Sequence, residues 1–251
     1  MVKLRFDVND KKDSLYSEAM DSIPEFIFDQ KVVAVFDDMI QRSVPGYRML
    51  VSMVALLAQR YCQDNSQIYD LGCSTGVNVV ALASALHNSE INGNIIAVDN
   101  SSPMLTQAQS NLQETGLNPN VSWVNEDICN IAINSASLVI MNYTLQFIPL
   151  PLRHELISKI SNGMLAGGAL LLSEKICFES TIIDSEMNEL YHSFKRANGY
   201  SALEISQKRT ALEDVLVRES VGVHLQRLQD SFSTVTVLFQ SFNFVSFLAI
   251  K

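Results

Sequence analysis

The sequence predicts an α/β protein with a mostly parallel sheet covered by helices on both faces. Three observations lead to this prediction. Short apolar runs alternate with helical patterns through the middle of the chain, which is typical of parallel sheets. The first run ends at Asp70-Leu71-Gly72-Cys73-Ser74-Thr75-Gly76, an acid followed by two glycines at the spacing of a tight turn. The next run ends at a second acid, Asp99.

The elements follow in order from hydrophobic periodicity. Residues 1–24 are charged and polar and are expected to be loosely held. Helices are predicted over 26–39 and 47–61, separated by Ser43-Val44-Pro45-Gly46, and both precede the first strand as a lid. Strands are predicted at 66–71, 94–99, 121–125, 135–142 and 168–174, and helices at 76–87, 102–115 and 151–164.

The last third of the chain interrupts this alternation. Residues 180–230 form a predicted helical insertion, and 234–239 with 243–250 form a closing hairpin. The sheet then has seven strands, one of them antiparallel. We expect a single domain over 1–251, with N-terminal helices in 25–61, a core of 62–175 and 232–251, and the insertion between the two parts of the core.

The composition of the chain argues against several classes of function. The 251 residues carry a net charge of −9, which disfavours direct binding of nucleic acid, because that affinity depends on clustered Lys and Arg. No apolar run reaches ~18 residues, so no membrane span is expected. The four cysteines include no CxxC pair, which indicates neither a disulfide framework nor a metal site. Free thiols and a start without an apolar signal core point to the cytoplasm.

The turn after the first strand predicts a nucleoside site. Glycines allow a ligand to approach the backbone closely, and Asp99 can accept both hydroxyls of a ribose. The D-x-G-x-x-x-G spacing resembles the S-adenosylmethionine (SAM) pocket of Rossmann-like methyltransferases, although any strand–turn–helix unit could carry it. Gly72 and Ser74 are expected at the methionyl part and Asn100 beside the ribose. Cys73 has an alternative interpretation as a small apolar filler.

Two further positions complete this pocket. Asp127 and Ile128 resemble the acid-plus-apolar pair that holds an adenine; the alternative interpretation of Asp127 is a helix or turn cap. Asn142 ends an apolar strand, where it either anchors a loop or faces the sulfonium.

A second set of candidate site residues, called here the basic constellation, consists of arginines and tyrosines. Arginine binds a carboxylate with two parallel hydrogen bonds, and tyrosine hydroxyls can add donors. Ordinary surface ion pairs are the alternative interpretation. None of the four histidines lies in a recognisable catalytic motif. The residues of this constellation are Arg42, Tyr47, Arg196, Tyr200 and Arg209.

Longer stretches resemble the carboxy-S-adenosylmethionine synthases, which serve wobble-uridine modification of bacterial transfer RNA. The most specific are Asp38-Met39-Ile40-Gln41-Arg42-Ser43-Val44-Pro45-Gly46-Tyr47, Lys195-Arg196-Ala197-Asn198-Gly199-Tyr200 and Ser206-Gln207-Lys208-Arg209. The resemblance implies a Rossmann-like SAM-methyltransferase fold, a homodimer, and the conversion of SAM and prephenate to carboxy-SAM and phenylpyruvate.

The resemblance also implies the site residues. Arg209 would grip the new carboxylate as the catalytic residue. An ordinary SAM-dependent small-molecule methyltransferase, or a non-catalytic SAM-binding partner of a tRNA-modifying enzyme, are the competing hypotheses. SAM would be lined by Tyr47, Gly72, Cys73, Ser74, Asp99, Asn100, Asp127, Ile128, Asn142 and Arg209.

Overall fold

A computed structural model describes residues 11–87, 89 and 91–251. Its strands are β1 (Gln67–Leu71), β2 (Asn94–Asp99), β3 (Val121–Asn125), β4 (Ala136–Asn142), β5 (Met164–Lys175), β6 (Thr234–Ser241) and β7 (Phe244–Ile250). Its helices are α1 (Gln30–Val33), α2 (Phe36–Ser43), α3 (Tyr47–Tyr61), α4 (Val77–His87), α5 (Ser102–Glu114), α6 (Leu150–Gly163), α7 (Thr181–Ala197), α8 (Ala202–Leu212) and α9 (Val221–Gln229).

The strands form one seven-stranded sheet in the order β3-β2-β1-β4-β5-β7-β6. Only β7 runs against its neighbours among these strands, pairing antiparallel with β5 and β6. The predicted fold is therefore confirmed: a mostly parallel α/β sheet with one antiparallel strand. The central strand β4 is apolar almost throughout and buried, as expected for a parallel strand covered on both faces. The topology brings the carboxyl ends of β1, β2 and β4 side by side.

The prediction of one helix over 26–39 is wrong. Asp29 caps α1 by accepting hydrogen bonds from the backbone N–H groups of Lys31 and Val32, so the helix begins only at residue 30. Val35 then leaves helical geometry, with φ −129° and ψ 6°, before α2 begins. Residues 23–29, ahead of α1, form no regular secondary structure, and the Phe26 N–H donates to the Ala211 carbonyl at 2.9 Å. Most of the apolar residues in 26–39 are buried, but this stretch forms two short helices and not one continuous helix.

Residues 1–10 of the segment expected to be loose lie outside the described residues. For the rest of that segment the expectation is wrong, because Asp13 is buried. Its carboxylate accepts a hydrogen bond from the Tyr200 hydroxyl at 2.6 Å. Its carbonyl accepts one from the Arg42 guanidinium at 2.8 Å. The start of the described chain is therefore tied to α2 and to the insertion.

Strand β5 begins at residue 164, four residues earlier than the predicted start at 168. Gly167 and Gly168 lie inside it, and Gly167 has φ +74°. The pairing with β4 shifts between Ala136 and Leu138 at this point. Glycines within a strand often mark such an irregularity, so they act here as a bulge rather than as a turn before the strand.

The insertion forms α7, α8 and α9, in agreement with the predicted helical character of 180–230. Among the described residues, none of the helices combines the length and the apolar character needed to cross a bilayer.

Candidate active site

A cavity of about 790 Å³ opens at the carboxyl edge of the parallel strands. This is where ligands bind in open α/β sheets, and its size suits a small molecule. Rings of the N-terminal segment form its apolar wall. Phe28 meets Phe26, Phe36 and Phe147 edge to face, with centroids 5.1, 6.3 and 5.4 Å apart. This wall limits the access of water to one side of the cavity.

The glycine turn lies on the cavity floor between β1 and α4. Gly72 has φ +80°, and a Cβ added there would fall onto the Thr144 side chain. The Thr144 hydroxyl is itself fixed, donating to the Leu71 carbonyl at 3.0 Å. The N–H groups of Gly72 and Cys73 both donate to the Val98 carbonyl at 2.9 Å. Glycine is therefore required at position 72 by both backbone conformation and space.

Asp99 is held in place before any ligand binds. Its two carboxylate oxygens accept from the Ser74 N–H at 2.8 Å and from the Ser101 N–H at 2.9 Å. Burial raises the pKa of this carboxyl, and the two backbone hydrogen bonds oppose the rise. Asp99 lines the cavity, and each carboxylate oxygen has the capacity to accept a further hydrogen bond, as recognition of a ribose requires. Asn100, which follows, is exposed and also lines the cavity.

Asp70, the first residue of the motif, is fully buried next to this floor. The Asn78 amide donates to one of its oxygens at 3.3 Å, and the other oxygen has no partner. Burial raises the pKa of Asp70 to about 7, and the nearby Asp99 adds to the rise. A cationic ligand above the turn would favour the charged form of both acids.

Asp127 and Ile128 lie on the cavity wall after β3. Asp127 is exposed, and one of its oxygens accepts from the Cys129 N–H at 2.8 Å. The turn-cap interpretation and a place on the cavity wall thus both apply to Asp127. Ile128 is buried and presents an apolar surface beside it.

Asn142 ends β4 at the cavity with an unsatisfied donor. Its Oδ1 accepts from the Ser173 hydroxyl at 2.8 Å, which fixes the amide, while its buried Nδ2 has no hydrogen-bond partner. Buried polar atoms are rarely left unpaired. The orphaned donor is therefore an observation that fits a polar ligand above the sheet edge.

Two sequence-predicted residues lie behind the cavity wall rather than on it. Tyr47, at the start of α3, is buried near Asp37, Asp70 and Tyr143, and burial raises the pKa of its hydroxyl well above the usual range. Cys73 is buried in the core beside the turn, and burial likewise raises its thiol pKa. Neither side chain is among those lining the cavity.

The basic constellation separates into different roles. Arg42 forms an ion pair with Asp38 at 2.6 Å and lies 3.9 Å above the Tyr200 ring. Arg42 thereby connects two of the three most specific sequence stretches, 38–47 and 195–200, as a structural brace. Arg196 is exposed and donates to the Ser193 hydroxyl at 2.8 Å. Arg209 is exposed on α8 and does not line this cavity, whereas its neighbour Lys208 does.

Sequence reasoning missed two lysines of the cavity, Lys175 and Lys208. Lys175 ends β5 two residues after Ser173, the register partner of Asn142, and burial lowers the pKa of its ammonium to about 7. The signal for Lys175 was available, because a lysine that closes a buried strand at the ligand edge is unusual. Lys208 directly precedes Arg209 in sequence, and the helical pattern does not predict which of the two side chains lines the cavity.

Comparisons with known proteins relate the chain to a family model and to relatives of nearly the same length. A family model described as "Methyltransferase domain" matches residues 68–168. A carboxy-S-adenosyl-L-methionine synthase of Trichlorobacter lovleyi is 48% identical over 243 residues, covering 96% of this chain and 99% of the relative. The enzyme of the same name from Actinobacillus pleuropneumoniae serotype 5b is 44% identical over 241 residues, covering 96% and 99%.

Solved structures share the fold. A putative S-adenosyl-L-methionine-dependent methyltransferase of Methanococcus maripaludis superposes with a TM-score of 0.54 at 19% identity, covering 93% of this chain and 97% of that one. Magnesium protoporphyrin IX methyltransferase of Synechocystis PCC 6803, solved with bound SAM, gives a TM-score of 0.55 at 18% identity, covering 85% and 84%. At these identities the likeness concerns the architecture alone.

Proposed function

The chain belongs to the family of carboxy-S-adenosyl-L-methionine synthases, and from this premise we propose that it converts SAM and prephenate to carboxy-SAM and phenylpyruvate. The observation that carries the proposal is the near-full-length identity of 44–48% to synthases of that name. It spans the insertion as well as the nucleoside pocket. The activity is that of a SAM-dependent transferase.

The site residues fit SAM chemically. Asp99 offers a fixed carboxylate for the ribose hydroxyls, and Ile128 an apolar surface for the adenine, with Asn100 and Asp127 beside them. Gly72 and Ser74 form the floor under the methionyl part. The unpaired Asn142 Nδ2 would donate a hydrogen bond to an acceptor atom of the ligand that lies near the sulfonium. Tyr47 and Cys73 would act from behind this floor.

The proposed reaction balances without a further reactant. The bond between the prephenate ring and its ring carboxyl group breaks, and its electron pair completes the aromatic ring as the ring hydroxyl departs. The carboxyl carbon, released as CO2, bonds to the methyl carbon of SAM, which gives up one proton. That proton and the departing hydroxide make water. The protein's part is to hold the two substrates in contact and to keep bulk water away from the CO2.

We further propose that Arg209 binds the new carboxylate from a second copy of the chain. Its exposed position on α8, outside the cavity of its own subunit, is the reason for assigning it to a neighbour. Exposed apolar side chains of the insertion favour a homodimer contact there. These side chains are Ile182, Ile183, Leu190 and Leu203.

We place the reaction in the supply of carboxy-SAM for tRNA wobble-uridine modification in the cytoplasm. The four free cysteines favour a reducing compartment. The net charge of −9 favours an enzyme that acts on small molecules and leaves tRNA to another protein.

The test is a transfer experiment with prephenate labelled with ¹³C in its ring carboxyl group. Purified protein, SAM and labelled prephenate should give phenylpyruvate and carboxy-SAM, with the label in the latter by mass spectrometry. Reactions lacking prephenate or protein are the controls. Phenylpyruvate without labelled carboxy-SAM, or a methylated acceptor with S-adenosylhomocysteine, would reject the proposal in favour of another SAM-dependent reaction.

A further inference from the structure

Lys175 lines the cavity at the carboxyl end of β5. Alternate residues of a strand share a face, and the Ser173 hydroxyl is bonded to the Asn142 amide at 2.8 Å. Lys175 is therefore on the same face of β5 as Ser173, whose partner Asn142 would lie beside the sulfonium in the proposed function.

This ammonium has no acidic partner within ion-pair distance among the described residues. The neighbouring acids are engaged elsewhere. Glu174 accepts from the Leu145 N–H at 3.0 Å, and Asp184 pairs with Arg218 at 3.0 Å. A cation that lines a cavity without a counter-ion is poised to take one from a ligand.

The surroundings of Lys175 are aromatic. Its Nζ lies 4.6 Å from the centroid of the Tyr191 ring and 6.0 Å from that of Phe244. Tyr143 packs against Phe244 with centroids 5.8 Å apart. All three rings line the cavity. They offer the flat apolar surfaces that a six-membered ring would contact.

Lys208, the other lysine of the cavity, differs in this respect. Its Nζ lies 3.8 Å from the carboxylate of Asp13, so the protein supplies its counter-ion. Asp13 also accepts from Tyr200, which makes this pair part of the brace around the N-terminal segment. Lys175 is thus the cavity lysine left for an anionic ligand.

We propose that Lys175 and the rings of Tyr143, Tyr191 and Phe244 form the co-substrate subsite, in which the ammonium binds the carboxylate that stays on the co-substrate after transfer. The inference rests on the proposed function, in which that group is the pyruvyl carboxylate of prephenate. The transferred carboxyl group is a worse candidate for this contact. A cation fixed on it would stabilise its charge in the ground state and oppose its loss as neutral CO2.

The test compares Lys175→Met with Lys195→Met. Lys195 is a matched control because its Nζ also lies over the Tyr191 ring, at 5.7 Å, but its side chain does not line the cavity. Phenylpyruvate formation gives KM for prephenate and kcat at saturating SAM, and calorimetry gives Kd for SAM. Lys175→Arg keeps the charge and reports on rescue.

Lys175→Met should raise KM for prephenate about 10- to 100-fold, the loss expected for a charge-assisted hydrogen bond. Its Kd for SAM should stay within about twofold of the wild type, and Lys175→Arg should recover part of the loss. Equal rises in KM for Lys175→Met and Lys195→Met, or an unchanged KM in Lys175→Met, would overturn the subsite. If the wild-type protein does not turn over prephenate at all, the result overturns the proposed function itself and not only the subsite.

Discussion

Replacing Asp99 with alanine tests the nucleoside site most directly. In the folded protein the Asp99 carboxylate accepts two backbone N–H groups, from Ser74 and Ser101, and is buried. Bound SAM would add its ribose hydroxyls to the same two oxygens. The substitution therefore removes acceptors from the ligand and from the protein at the same time.

The magnitude follows from these contacts. A hydrogen bond to a charged group contributes about 1.5–3 kcal/mol, so Kd for SAM should rise about 10- to 100-fold. Alanine also leaves the N–H groups of Ser74 and Ser101 without their acceptor, at about 1–3 kcal/mol for each that water cannot reach. Asp99→Ala should therefore lower the melting temperature even without SAM. Asp99→Asn keeps the shape and loses the charge, so it should lose affinity with a smaller loss of stability.

Calorimetry with SAM and thermal unfolding of each variant are the measurements. Asp64→Ala is a matched control, because Asp64 also accepts from a backbone N–H, that of Asn92 at 2.9 Å, but lies exposed outside the cavity. It should leave Kd for SAM unchanged. Wild-type affinity for SAM in Asp99→Ala would remove Asp99 from the site, whatever happens to its stability.

Three further outcomes are expected. Gly72→Ala should lower both stability and SAM affinity, because its Cβ would meet Thr144, whereas Gly116→Ala, at φ +70° with open space around it, should cost only about 1–2 kcal/mol of stability by denaturant unfolding. Arg209→Ala should weaken carboxy-SAM binding far more than SAM binding in calorimetry and barely move the melting temperature, since the side chain is exposed; equal losses for both ligands would contradict its carboxylate role. Burial lowers the pKa of His224 from 6.5 to about 4. Between these pH values the unfolded chain binds a proton that the folded chain does not, so the free energy of unfolding should fall with decreasing pH, by at most about 1.4 kcal/mol per pH unit. Urea titrations of His224→Gln should lack this pH dependence.

The meeting of Gly72, Asp99 and Asn142 at one cavity could be predicted from sequence because its determinants are local. Gly72, Asp99 and Asn142 each end or follow a strand, and parallel strands bring their carboxyl ends to one edge. The sheet order then places β2, β1 and β4 side by side. Residue type, spacing and topology were enough to bring these three positions together.

The basic residues could not be assigned in the same way, because their roles depend on which partner each one meets. Arg42 stood out in an acidic chain, yet Asp38 one turn away and the Tyr200 ring occupy its guanidinium. Lys175 did not stand out, yet it lines the cavity and forms no ion pair with an acid in the part of the chain that the structure describes. Long-range pairing between residues far apart in sequence, such as Arg42 with Tyr200, has no periodic signal.

The prediction that the N-terminal segment, residues 1–24, is loosely held was wrong in its described part, residues 11–24, for a related reason. Its polar composition predicted loose structure, but Gln207 on α8 binds it through several backbone groups. The Gln207 side-chain oxygen accepts from the Met20 N–H at 2.8 Å, and its amide donates to the carbonyls of Tyr16 and Glu18 at 3.0 and 2.7 Å. A polar segment can thus be ordered by one buried polar side chain of another element, which its own composition does not reveal.

The distribution of cations follows the course of the proposed reaction. When it ends, the new carboxylate is on SAM and the pyruvyl carboxylate is on phenylpyruvate. We propose that Lys175, which lines the cavity, pairs with the second, and that Arg209, exposed on α8, would pair with the first from a second copy of the chain. The migrating carboxyl group then meets a fixed cation only after it has bonded to the methyl carbon. That order favours the release of CO2 first and the charged product afterwards, because the cation stabilises the state formed last.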